Sequence, residues 1–153
     1  MNEPTRGCVG VQDVRFGERV TIVEPVNLYG CTLADEVFIG PFVEIQANVS
    51  IGRGTRIQSH SFICEQVTIG ERCFIGHGVM FANDLFQGGA PDPDSANWGR
   101  THIENEVSIG SNATILPVRI CKGAVIGAGS VVTRDITIPG TYAGNPARLL
   151  RAF

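Results

Sequence analysis

The sequence predicts an all-β fold, a parallel β-helix of short strands wound into stacked coils. Two columns of apolar residues predict it. Every sixth residue from Leu33 is large and apolar: Leu33, Ile39, Ile45, Ile51, Ile57, Ile63, Ile69, Ile75 and Phe81. A second column runs four residues behind the first and is small or β-branched: Val37, Val43, Val49, Thr55, Ser61, Val67, Cys73 and Val79. A period of six is neither helical nor a simple strand alternation. It suits a coil whose flat sides each spend one hexad and turn two side chains inward.

The elements follow in chain order. Upstream the columns continue through Phe16, Ile22 and Leu28; downstream they resume at Ile103, Ile109 and Ile115, then Ile120, Ile126 and Val132, with one-residue slips. Glycine often follows the large column, as at Gly40, Gly52, Gly70 and Gly76, and is expected at corners that need positive φ. One interruption, about 84–101, lacks the period and is rich in Gly, Pro, Asp and Asn, so it is expected to be a loop. Long loops in compact repeats are functional or disordered, and Phe86 and Trp98 suit the functional reading. About 139–153 the chain leaves the repeat as a C-terminal cap, with a short helix expected near 146–152 and Leu149 and Leu150 closing the stack. Residues 1–153 thus read as one domain.

Composition excludes several classes. The chain has 153 residues, 43% hydrophobic and only 18% charged, which argues against disorder. No apolar run is long enough for a membrane-spanning helix, and the opening MNEPTRGCVG has no secretory pattern. A net charge of −3 argues against a nucleic-acid partner. Five cysteines, Cys8, Cys31, Cys64, Cys73 and Cys121, are odd in number with no CxxC pair. They read as reduced thiols of a cytoplasmic protein, without a metal centre.

The run IGPFVE-IQANVS-IGRGTR-IQSHSF-ICEQVT-IGERCF-IGHGVM resembles the hexapeptide-repeat family. That resemblance implies a left-handed helix with three hexads, or 18 residues, per coil. With that ruler, Glu65 stacks under Asn83 and Ser59 under His77. A carboxylate and an amide at one corner beside the loop form a candidate polar site, and a histidine titrating near neutrality is a candidate general base. The alternative for each is an ordinary solvent-facing corner residue. His60 and His102 are weaker candidates, and the three histidines lack ligand spacing, so no metal is expected.

The segments VNLYGC, QSHSFICE, IGHGVMFAND, IGSNATILP, VIGAGSVVTRD and YAGNPAR resemble N-acetyltransferases of nucleotide-linked (dTDP or UDP) 3-amino sugars. The resemblance implies that Asn83 hydrogen-bonds the attacking amine, that Glu65 is its acidic partner, and that His77 sits where wider relatives carry a catalytic histidine. It implies acetyl-CoA as co-substrate, with Gly127, Ala128 and Gly129 beside the pantetheine and Lys122, Arg134 and Arg148 as candidates for its phosphates. Tyr29, Gln46, Ser59, His60 and Trp98 are candidate substrate contacts. The resemblance also implies a homotrimer with active sites between subunits and a product used in surface-polysaccharide or glycan assembly, such as lipopolysaccharide O-antigen. Two other readings stay open: an O-acetyltransferase of the same fold acting on a small hydroxyl acceptor, and a non-catalytic or metal-binding β-helix.

Overall fold

The computed structural model describes residues 3–5 and 7–153; Met1, Asn2 and Arg6, within the opening stretch read for a secretory pattern, lie outside the described residues. The chain winds as a parallel solenoid of three sheets, consistent with the left-handed β-helix expected from the hexads. The first face holds seven strands, from Val11–Gln12 through Glu44–Ile45, Phe62–Ile63 and Met80–Phe81 to Val131–Val132. The second holds six, from Arg15–Phe16 to Arg119–Ile120. The third holds eight, from Thr21–Ile22 through Val125–Ile126 to the C-terminal strands Gly140–Gly144 and Ala147–Ala152.

Each of the coil strands is only two or three residues long, because the hexad leaves no more before a corner. In the two-residue strands from Thr32–Leu33 to Val131–Val132, the large-column residue is buried and its predecessor is more exposed, whereas Phe16 in the first coil is exposed. Ile45 pairs with Ile63 and Ile57 with Ile75 one coil on. The coil is 18 residues in this central stretch and 17 at Arg15↔Thr32 and Thr114↔Val131, which accounts for the one-residue slips. Leu28, Leu33, Ile39, Ile45, Ile57, Ile63, Ile75, Ile103, Ile109, Ile115 and Ile120 are fully buried in one continuous core. Burying each such side chain contributes roughly 1.5–3 kcal/mol. The small column meets its polar exceptions with hydrogen bonds. Thr55 Oγ1 donates to Gly70 O at 2.7 Å and accepts from Cys73 N at 3.0 Å; Ser61 Oγ donates to Gly76 O at 2.9 Å.

The corner glycines differ from expectation in their reason. Gly40, Gly52, Gly70 and Gly76 do not carry positive φ; that conformation falls later in the corner, at Glu36, Phe42, Asn48, Gly54, His60, Gln66 and Arg72. A Cβ at Gly52 would lie 2.5 Å from Gly70 C, and one at Gly70 would lie 2.8 Å from Asn105 N. These glycines are therefore required by the closeness of successive coils.

The loop's boundaries also shift. Thr101 is buried and opens the strand Thr101–Ile103, so the excursion occupies 82–100. Its base is pinched where Gly99 N donates to Asn83 O at 2.7 Å, while Met80–Phe81 pairs directly with Thr114–Ile115.

The C-terminal helix expected at 146–152 is absent. Gly140–Gly144 pairs parallel with Val125–Ile126, and Ala147–Ala152 folds back on it antiparallel around Asn145 and Pro146. The open edge of the last coil offers ladder partners that a helix of two turns cannot match. Leu149 and Leu150 consequently do not close the stack: they are 43% and 67% exposed.

A charged ladder lines the corner between the second and third faces. Glu36 is bridged by Arg53 Nη2 at 3.0 Å and by Arg19. These guanidiniums, Arg53 first, hold the Glu36 carboxyl down at about 2. Because folding lowers this pKa, the ionised carboxylate stabilises the fold above the ordinary carboxyl range, and that contribution is lost as pH falls toward about 2. Glu36→Gln is expected to lower Tm by less than about 3 °C at neutral pH. The gap between variant and wild type should close as pH falls from about 5 toward about 2 in thermal melts followed by circular dichroism. Gly52→Ala is expected to cost about 1–3 kcal/mol in denaturant titration. Gly88→Ala, where a Cβ meets nothing within 4 Å, should stay within about 0.5 kcal/mol of wild type.

Candidate functional site

Three corners carry all but one of the candidate residues, and the structure sorts them. The corner between the first and second faces gathers Tyr29, Gln46, Glu65 and Asn83. Asn83 Nδ2 donates to Glu65 O at 3.3 Å, Glu65 N donates to Gln46 Oε1 at 3.3 Å, and Gln46 Nε2 donates to Glu44 Oε1 at 3.3 Å. Asn27 Nδ2 donates to the other Glu44 oxygen at 3.1 Å. The half-buried Tyr29 phenol is raised by burial and then by Glu44. In this ladder every contact to Glu65 uses its backbone. Among the described residues, the Glu65 carboxylate and Asn83 Oδ1 have no hydrogen-bond partner.

The loop is built on this corner. Asp84 accepts from Phe86 N at 2.8 Å and Asp92 N at 2.7 Å; Asp92 accepts from Asp94 N, from Asn97 Nδ2 and, through its carbonyl, from Trp98 Nε1 at 3.0 Å. Trp98 is half-buried with its indole N–H committed to the loop. A cavity of about 550 Å³ opens beneath the loop, with Asn83, Asp84, Asp92 and Asn97 in its wall.

The corner between the third and first faces carries the histidines. Ser59 Oγ and His77 Nδ1 lie 2.8 Å apart, which turns His77 Nε2 outward. His60 stacks on Phe42 with ring centroids 4.8 Å apart. Farther along this corner Ala128 and Gly129 are exposed, and a Cβ at Gly129 would meet nothing within 4 Å. Gly127 is half-buried, and its N–H donates to Tyr142 O at 2.7 Å. One flat side separates His77 from Asn83, roughly 15–20 Å of strand. An amine held at Asn83 is therefore beyond the reach of His77 in the same protomer.

The three candidate cations divide. Arg134 and Arg148 share a cavity of about 200 Å³ with Asp135 and Tyr142 at the end of the coil. Lys122 instead stands on the charged corner, with Nζ 3.4 Å from Glu106 Oε2 and its backbone N donating to Glu104 Oε2 at 2.9 Å.

Sequence reasoning missed Gln66 and Arg100. Gln66 Nε2 donates to Ser95 O at 2.6 Å, and Arg100 Nε donates to Gln66 Oε1 at 3.3 Å, so the two tie the loop to the corner beside Glu65. The available signal was Arg100's position, the last residue before the period resumes.

Burial pushes the Cys31 thiol up to about 11 and the Cys64 thiol up to about 12, which marks both as inert core residues. Among the described residues no group of three or more His, Cys, Asp or Glu side chains is placed to hold a metal ion. No described helix is long and apolar enough to cross a membrane.

Comparison with known proteins bears on this arrangement. Residues 66–80 and 100–134 match the family described as "Hexapeptide repeat of succinyl-transferase", and 30–65 match "Bacterial transferase hexapeptide (six repeats)". The bifunctional protein GlmU of Polaromonas naphthalenivorans is 40% identical over 108 residues, 70% of this chain and 20% of GlmU. The chain thus spans about one fifth of the length of the curated relatives it matches. A hexapeptide-repeat acetyltransferase of Vibrio cholerae, solved with acetyl-coenzyme A, is 26% identical with TM-score 0.68 over 80% of this chain and 70% of that one. A perosamine N-acetyltransferase variant from Caulobacter crescentus, solved with CoA and GDP-perosamine, shares the fold at 21% identity and TM-score 0.61, over 91% of this chain and 56% of that one. The two hexapeptide matches together cover more than half of the chain on the coils that carry the period, and the chain belongs to the hexapeptide-repeat acyltransferase family.

Proposed function

We propose that the protein is an N-acetyltransferase that moves the acetyl group of acetyl-CoA to an amine, the C3 amine of a nucleotide-linked amino sugar such as a dTDP-3-amino-3,6-dideoxyhexose. The observation that carries this reading is the Asn83–Glu65 pair, whose Oδ1 and carboxylate are unspent while Asn83 Nδ2 is braced on Glu65 O and Glu65 N on Gln46 Oε1. An amine N–H donates to Asn83 Oδ1 and a second to Glu65, which leaves the nitrogen lone pair aimed away from the corner. The lone pair attacks the thioester carbonyl and the C–N bond forms. The tetrahedral intermediate collapses with loss of the C–S bond, and the ammonium proton passes to Glu65, directly or through water, or to the departing CoA thiolate. Positioning of this kind supplies much of the rate.

The similarity to an acetyltransferase solved with acetyl-coenzyme A supports the donor. The exposed backbone of Ala128 and Gly129 suits close approach of an extended chain, and the cavity shared by Arg134 and Arg148 suits phosphate. Lys122 belongs to this set only if its pairing with Glu106 is given up. Tyr29, Gln46 and Trp98 stand near the acceptor corner. Ser59, His60 and His77 stand at the far end of the first face. We assign them to the site of a neighbouring subunit in a homotrimer, a reading that fits the flat side of the coil standing between them and Asn83. The five free cysteines fit a cytoplasmic enzyme.

The Ser59–His77 hydrogen bond favours one second reading, O-acetyl transfer with His77 as general base. A thiol-release assay with acetyl-CoA and a panel of dTDP- and UDP-linked amino sugars separates the two. Under N-acetylation, Asn83→Ala is expected to lower kcat about 100-fold with Tm nearly unchanged, a loss of transition-state positioning. Under O-acetylation, His77→Ala abolishes turnover and Asn83→Ala does not. Absence of turnover with every amino sugar, from folded wild-type protein, defeats the proposal.

A further inference from the structure

Beside the Glu65 carboxylate, on the second face, lies a cavity of about 520 Å³ that the proposed chemistry leaves unused. Its wall includes Asn48, Gln66, Thr68 and Arg100. Arg100 differs from the arginines of the charged corner. Arg19, Arg53, Arg72 and Arg119 are each paired with a glutamate, whereas among the described residues Arg100 meets no carboxylate. Its Nε is held by Gln66 Oε1 at 3.3 Å, and Gln66 is itself held by Ser95 O at 2.6 Å. The guanidinium is thereby oriented with its two terminal nitrogens free for an anion.

The cavity does not end there. Asn48 also lines a second cavity of about 430 Å³ that runs on to Arg15 and Asp13. The floor between them is the outward side of the second face, where Thr68 pairs in register with Ser50 and Ser50 with Thr32. All three side chains are exposed. At the spacing of paired strands, the row from Thr68 to Arg15 spans roughly 14 Å. Along this path the chemistry changes in a fixed order: a carboxylate at Glu65, a cation at Arg100, neutral hydroxyl and amide groups, and then Arg15 and Asp13 together at the far end. A ligand complementary to that order carries an amine, next to it a phosphate, and then a longer uncharged part with both hydrogen-bond donors and acceptors.

We propose that this groove is the nucleotide subsite, with Arg100 holding the phosphate of the acceptor and the nucleoside lying along Thr68, Ser50 and Asn48. The proposal deepens the reading of Glu65 and Asn83 as the amine site and rests on it for the direction of the sugar. It makes Arg100 a specificity-determining residue and not a catalytic one. It also explains why the loop closes onto Gln66: the loop's last residue completes the anion site.

The test is titration calorimetry of the full-length protein with dTDP, UDP and inorganic pyrophosphate, alongside steady-state kinetics with acetyl-CoA and the nucleotide-linked acceptors. Arg100→Gln is expected to weaken nucleoside diphosphate binding at least about tenfold and to raise KM for the acceptor by a similar factor. The kcat and the affinity for acetyl-CoA should stay within about twofold, and Arg100→Lys should fall between. Arg100-dependent binding of dTDP or UDP without turnover of any amino sugar would support the groove while defeating the N-acetyltransferase reading. Equal nucleotide affinity in wild type and Arg100→Gln overturns the groove. Turnover of a nucleotide-linked acceptor that shows no KM change in the variant overturns it too, and leaves the catalytic reading standing. Binding of pyrophosphate as tight as that of dTDP and UDP overturns the nucleoside part of the groove.

Discussion

The structure depends on the pairing of each short strand with the strand one coil away. A two-residue strand has no stability of its own. It exists because its backbone groups bond to the coil above and below, as Gly40 N does to Ile57 O at 2.8 Å and Gly76 N to Ile109 O at 2.8 Å. That spacing leaves no room for a Cβ at the start of several corners, which is why glycine follows the large column. It also sets identical side chains one above another, which is why isoleucine recurs down the large column and valine down the small one. A side chain with a well-defined rotamer that packs against its own kind satisfies every layer at once.

The same ladder makes the corners accurate positioning devices. Glu65 and Asn83 meet because their strands, Phe62–Ile63 and Met80–Phe81, are in register, and Ser59 meets His77 for the same reason one corner earlier. Neither pair needs a large loop to orient it. Each is fixed by coils whose interior is fully buried above and below. The tolerance for a 19-residue excursion has the same origin. A corner contributes few ladder bonds, so chain can be inserted there while Phe81 still pairs with Ile115 across the gap.

The period made the fold legible, because burial in this architecture repeats with the hexad and each layer reads the same way. The stacking of Glu65 under Asn83 was legible by the same rule. The C-terminal hairpin was not, since its strands are called up by the open edge of the Val125–Ile126 coil, which local propensity does not contain. The glycine requirement was misread as a matter of φ because the clash comes from a residue 18 positions away. Lys122 looked available in sequence, yet Glu106 faces it across a corner whose register counts 17 residues. The contact between Gln66 and Arg100 was not legible, because it spans the loop, where no period applies; only the position of Arg100 at the loop's end hinted at it.

The placement of the loop separates two tasks that an acyl-transfer site has to perform. Asn83 stands at the start of the excursion, and its own carbonyl receives Gly99 N as the loop returns. Its side chain is braced from below by Glu65 O. Asn83 is thus held through its side chain by the coil below and through its carbonyl by the loop base, and neither contact uses a residue between Asp84 and Trp98. The loop body is organised by Asp84 and Asp92 around its own backbone, and among the described residues its side-chain hydrogen bonds toward the second face run through Gln66, which meets Ser95 O and Arg100. Under the proposed N-acetyl transfer, changes in the loop body would alter the wall of the cavity beneath it and leave Asn83 in place. On that proposal, substitutions in 85–97 tune which acceptor enters, whereas substitutions in the ladder from Glu44 to Asn83 alter whether any acceptor reacts.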